Sequence, residues 1–171
     1  MNIIEGNPTP YNAELIIEVI DDIYSKEERI KKVESRLEKL IEQTGYKLTT
    51  IPGVSIATAS MLISEIGDIN RFKNDNKLAP VAIGSAGKNT MSHSKSGNRI
   101  LRSTMYFLAV GMISTTVHKE AKQPYFRDYF LNKTQNGKTK QQALLCITRQ
   151  LIRVIYSMMK YKREWRQPEY K

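Results

Sequence analysis

Ser85 lies in the run Gly84-Ser85-Ala86-Gly87-Lys88, inside residues 81–99, VAIGSAGKNTMSHSKSGNR. Glycines around a hydroxyl let backbone N–H groups turn inward and form a concave anion site. Cations follow at Lys88, Lys95, Arg99 and Arg102, and residues 81–99 contain no carboxylate. Such a loop suits a phosphodiester. The cations offset charge that develops as phosphorus is attacked, whereas a carboxylate would repel the phosphate at close range. A serine hydroxyl activated by a base or a metal is a competent nucleophile. On residue types alone, a loop serine among glycines is far more often an ordinary loop serine.

A second anion-binding pattern occurs in LTTIPGVSIATASMLISEIGDI, residues 48–69. Pro52 and Gly53 predict a tight turn, Ser55 predicts the cap of a following helix, and Gly67 predicts its end. Helix, turn, helix is the arrangement of a helix-hairpin-helix, in which turn amides and a helix N-terminus hold a DNA phosphate. Gly53 and Ser55 are the candidate contacts, with Ser55 standing where the usual hairpin has its second glycine. A plain helical hairpin buried in a core is the competing reading. A metal-dependent nuclease, by contrast, needs clustered carboxylates. After residue 70 the acids are Asp75, Glu120, Asp128, Glu164 and Glu169, with no shared spacing. No metal site is therefore expected in this chain. Cys146 with His93 and His118 does not make a zinc set, and one cysteine excludes a disulfide framework and fits a reducing compartment.

The elements that would position these residues are helical throughout. Residues 1–11, with Pro8 and Pro10, predict a linker or disordered start, and 12–46 predict one long helix. Its apolar residues Ile16, Val19, Ile23, Ile30, Val33, Leu37 and Leu40 fall on alternating three- and four-residue steps, a heptad seam interrupted by Lys26. Such a narrow stripe wants a partner helix, from a second chain or another part of this one. Residues 71–79 read as a short basic helix or turn, 98–118 and 124–134 as helices, and 139–162 as a last helix with a continuous apolar stripe. Lys138 and Lys140 open its basic side. The expected fold is all-α: a coiled-coil arm (12–46), a compact helical domain with the hairpin (47–165) and a tail (166–171). No apolar run approaches the length of a membrane span and no signal-peptide pattern is present.

Charge supports a polyanion partner. The 171-residue chain carries +10, distributed unevenly. Residues 1–46 hold ten acids and six bases, whereas 71–171 hold five acids and twenty bases. A basic body on an acidic arm is the electrostatic footprint of a nucleic-acid binder.

In order along the chain, IPGVS, LISEIGDINRFKN, SAGK, SKSGNRILRSTMYFLAV, FRDYF and NGKTKQQALLCITRQLIRVIYSMMK resemble the C-terminal half of the insertion-sequence-110 transposases. That family includes the Piv and MooV DNA invertases and the bridge-RNA-guided recombinases. The resemblance covers about residues 30–165, and the ordered combination is specific where no single block is. It implies DNA transposition or site-specific recombination, with Ser85 as the nucleophile that forms a 5′-phosphoserine link and Gly87 as the glycine of its S-x-G motif. Lys88, Lys95, Asn98, Arg99 and Arg102, with Lys138 and Lys140, are the implied DNA contacts. The family also implies a RuvC-like N-terminal half with four metal-binding carboxylates and Mg²⁺. These 171 residues do not supply that half, so the chain alone is expected to be inactive. The segment before Pro80 is shorter than the family pattern. DNA, a homodimeric or higher partner through the arm and, for some members, a guide RNA are the implied partners. The implied location is the bacterial cytoplasm, at the nucleoid. Two further readings stand beside this one: a DNA-binding module without chemistry, and a remnant of a decayed insertion sequence.

Overall fold

The computed structural model describes residues 10–83, 97–115 and 123–167, and these form an all-α architecture. Six helices follow in order: α1 Pro10–Thr44, α2 Ile56–Ile66, α3 Asp75–Ile83, α4 Arg99–Ile113, α5 Pro124–Gln135 and α6 Lys140–Tyr161. Short 3-10 turns at Leu48–Thr50 and Ile69–Arg71 join the first three. Among the described residues no helix is long and apolar enough to cross a membrane.

α6 is the centre of the body. Thr139 and Gln142 form a reciprocal capping box at its start, which satisfies two amide donors that a helix N-terminus leaves open. Ala143, Ile147, Leu151, Ile155 and Met158 recur at three- and four-residue steps and are all buried. This stripe is covered by α3, α4, α5 and both 3-10 turns. Thr148 is the buried polar residue on it, and its hydroxyl donates to the Leu144 carbonyl at 2.9 Å. Beyond α6, Trp165 stacks on the fully buried Phe126 with 6.1 Å between ring centroids.

α1 is a different kind of element. Its 35 residues extend about 52 Å at 1.5 Å per residue. From residue 13 to residue 40 all side chains are exposed except the half-buried Glu34 and Leu37. Only Ile41 joins the core, where the base of α1 meets α2. Gly45 ends the helix at φ +71°, a left-handed conformation that glycine adopts without strain. The space a Cβ would occupy there is bordered by the Lys162 side chain, so the base of the arm lies against the end of α6.

α1 begins at Pro10, inside the stretch 1–11 expected as linker, and ends at Thr44 rather than residue 46. Beyond shifts of one or two residues at helix ends, three boundaries in the body differ from the sequence expectation. The segment before Pro52 is a 3-10 turn, because Gly45 and Pro52 leave too few residues to repay α-helix nucleation. α3 runs through Pro80 to Ile83 rather than ending at residue 79. Leu78 and Ala82 are both buried, and that burial outweighs the amide lost at Pro80. The helix expected over 98–118 ends at Ile113, where Ser114 turns extended and its hydroxyl bonds to the Gly111 carbonyl at 2.8 Å. A serine that bonds the preceding turn competes with helix continuation. If α6 organises the body, Leu151→Ala should lower unfolding stability by about 2–5 kcal/mol in urea titration, while Ser35→Ala, exposed on the arm and off its apolar seam, should leave it within about 0.5 kcal/mol.

Candidate nucleic-acid interface

The Pro52–Gly53 turn forms as its residue types require. The Val54 amide donates to the Ile51 carbonyl at 3.0 Å, and Gly53 has φ +83°, the geometry a Pro-Gly pair gives to a type II turn. Pro52 and Gly53 are exposed, whereas Ile51 and Val54 point into the core. Ser55 caps α2, its hydroxyl accepting from the Thr58 amide at 3.2 Å. A space of about 400 Å³ adjoins this turn, lined by Gly53, Ala57, Met61, Phe107 and Gly111 among others. It shows that α2 and α4 run antiparallel, with the start of α2 beside the end of α4.

The opposite end of that helix pair carries the second group. The Asn98 amide donates to the Val81 carbonyl at 3.0 Å. This closes the end of α3 onto the start of α4. Asn98 also caps α4 by accepting from the Leu101 amide at 3.0 Å, and its side-chain amide donates to Glu65 on α2. Gly97 fits where another residue would not. At φ +155°, a Cβ would lie 2.8 Å from a terminal nitrogen of Arg102 and 3.3 Å from the Pro80 and Val81 carbonyl oxygens. Arg102 therefore packs directly behind Gly97. Its Nε is buried and has no hydrogen-bond partner among the described residues, and a buried donor without a partner costs about 1–3 kcal/mol. Arg99 is exposed in the first turn of α4.

Ser85, Gly87, Lys88 and Lys95 lie outside the described residues, as do His93 and His118. The candidate residues that are described fall into three places. Asn98, Arg99 and Arg102 gather at the α3–α4 junction. Gly53 and Ser55 lie at the other end of the α2–α4 pair, roughly 16 Å away by the length of the 11-residue α2. Lys138 and Lys140 are exposed at the start of α6. Thr50 accepts from the Trp165 amide at 2.8 Å, so the Pro52–Gly53 turn belongs with the far end of that helix, whose 22 residues measure about 33 Å. Sequence reasoning passed over Glu65, which holds Asn98, and gave Gly97 no packing role. The available signal was that Glu65 is the single acid between residues 47 and 67.

Residues 45–126 match the family model described as Transposase, IS116/IS110/IS902 family. That span includes the turn, α2, α3, the α3–α4 junction and α4. The chain is thus an insertion-sequence-110-type, transposase-like chain. It is 29% identical over 142 residues to the insertion element IS110 uncharacterized 43.6 kDa protein of Streptomyces coelicolor, covering 78% of this chain and 33% of that one. It is 28% identical over 158 residues to the pilin gene-inverting protein of Moraxella lacunata, covering 84% and 47%. The Moraxella bovis protein of the same name is 30% identical over 125 residues, covering 68% and 37%. The chain spans between a third and a half of the length of these curated relatives.

Two substitutions test the junction. Gly97→Ala should lower stability by about 1 kcal/mol or more, because it is strained at that φ and displaces Arg102. Asn98→Ala should cost about 1 kcal/mol for the lost cap. Both effects are read as shifts in the urea midpoint at unchanged slope.

Proposed function

We propose that this chain is the DNA-engaging C-terminal part of a transposase or site-specific recombinase, and that Ser85 is its nucleophile for strand cleavage and transfer. The observation that carries this reading is the Val81–Asn98 junction. Val81 and Gly97, which lie on either side of the segment holding Ser85, Gly87, Lys88 and Lys95, come together beside the Arg102 guanidinium. A phosphate approaching that point would meet Arg102, Arg99 and the amides at the start of α4, all of which favour an anion. Attack by the Ser85 hydroxyl oxygen would break the bond from phosphorus to the 3′ oxygen. It would free a 3′-hydroxyl and leave the 5′ phosphate on the serine, a link a new 3′-hydroxyl can resolve in transfer.

Mg²⁺ belongs to the RuvC-like half in this reading. Its metal chemistry would come from that other half, to which the resemblance assigns the four carboxylates. Gly53 and Ser55 would bind DNA away from the cleavage point, and Lys138 and Lys140 would add contacts at the start of α6. A guide RNA is a further partner suggested by the resemblance to bridge-RNA-guided members. α1 would pair with a second copy through its seam, whose Ile16, Val19, Ile23, Ile30, Val33 and Leu40 are each at least half exposed. The separation of the Pro52–Gly53 turn from the α3–α4 junction, about the length of α2, favours one second reading, a DNA-binding module without chemistry.

Covalent trapping distinguishes the two. The chain, combined with a RuvC-like half, Mg²⁺ and labelled DNA from an element's ends, is expected to give a denaturant-resistant adduct that maps to Ser85 and is lost in Ser85→Ala with binding retained. Binding without any adduct would leave the binding module, and no binding would overturn both. In the same assay, Arg99→Ala with Arg102→Ala should weaken DNA binding and make the slope of log K against log salt shallower by about one to two.

A further inference from the structure

The exposed apolar surface of α1 is not one stripe. From Ile30 to Leu40 it is the narrow seam of a two-helix pairing. From Leu15 to Tyr24 it widens: Leu15, Ile17, Ile20 and Tyr24 join the seam residues Ile16, Val19 and Ile23, and all are more than 40% exposed. At 100° per residue these positions wrap roughly 200° of the helix, about twice what one partner helix covers. The same stretch, residues 13–25, contains Glu14, Glu18, Asp21 and Asp22 and no base. The tip of the arm is therefore acidic and broadly apolar, whereas the body beyond residue 70 is strongly basic.

We propose that two copies pair through α1 in antiparallel register, centred near residue 28, so that each acidic tip lies against the base of the partner's arm. This deepens the reading above that the arm pairs with a second copy. The seam fits this register. Ile16 faces the partner's Leu40, Val19 faces the partner's Leu37, and Ile23 faces the partner's Val33. Lys26, which bonds to Asp22 in its own helix, faces the partner's Ile30 and can lay its apolar stem there. In a parallel pair the two Lys26 side chains would meet each other in the seam.

Flanking charges point the same way at one site and cancel at another. Antiparallel pairing brings Asp22 beside the partner's Arg36, whereas parallel pairing brings it beside the partner's Glu27. At the antiparallel centre Arg29 meets its own copy, as does Glu27, while the parallel pair would gain Arg29 beside the partner's Glu34. Exposed pairs of this kind contribute at most about 1 kcal/mol each, so two larger effects decide. The wide tip needs more cover than one helix gives, and an antiparallel partner offers the place where its arm meets α2. A parallel pair would also set two bodies, each with five acids and twenty bases beyond residue 70, side by side. Antiparallel pairing separates the arm bases by about 36 Å, several times the ~8 Å screening length at physiological salt.

Disulfide trapping reads the orientation. In a Cys146→Ser background of the full chain, Val19→Cys and Leu37→Cys are made as separate single variants. Oxidation of either alone should give no linked dimer, and oxidation after the two are mixed and re-equilibrated should link them. Spin labels at position 16 should then report a separation near 36 Å, the rise over 24 residues. Self-linking of each single variant, or a separation near 10 Å, would overturn the antiparallel register while keeping the paired arm. A monomer by sedimentation in the Cys146→Ser chain would overturn both.

Discussion

The burial of one face of α6 is the constraint on which the body depends. α3, α4 and α5 each lie against it, and both 3-10 turns touch it as well. Without Ala143, Ile147, Leu151, Ile155 and Met158 these short helices would have little to pack on, since helices of 9 to 15 residues are marginal in water alone. The candidate interface inherits its geometry from this. α4 packs against α6, and its first turn carries Asn98, Arg99 and Arg102 to the end of α3. A cation cluster on short helices thus becomes a fixed feature because a third helix, distant in sequence, holds both.

At the α3–α4 junction, hydrogen bonding and crowding act together. The Asn98 amide fixes the closure, its side chain satisfies the α4 amide and reaches Glu65, and Gly97 lets the Arg102 guanidinium lie under the chain. Among the described residues the Arg102 Nε is buried without a partner, which is a costly arrangement for a donor.

Helix periodicity made the architecture legible. The α6 stripe, the long α1, the Pro124 start of α5 and the Gly45 and Gly67 stops were all readable from apolar spacing and from the proline and glycine positions. The boundaries that differed were decided by tertiary burial. Ala82 is drawn into the core and carries α3 through a proline, and Ser114 turns its hydroxyl back onto Gly111. The turn at Pro52–Gly53 was legible as a turn, but not its distance from Arg102, because antiparallel pairing of α2 with α4 is a property of packing and leaves no local mark. The role of Gly97 was hidden for the same reason: what makes it necessary is a side chain five residues on and two carbonyls from another helix.

The contacts of Lys162 and Trp165 with Gly45 and Thr50 have a consequence for how the molecule is made. The base of the arm and the Pro52–Gly53 turn are braced by residues 115 or more positions later in the chain. During synthesis, α1 emerges long before the residues that brace its base exist. If two arms pair as proposed, their association would precede the locking of their direction, and the last turn of α6 would act as the stitch that fixes the bearing of an already formed pair.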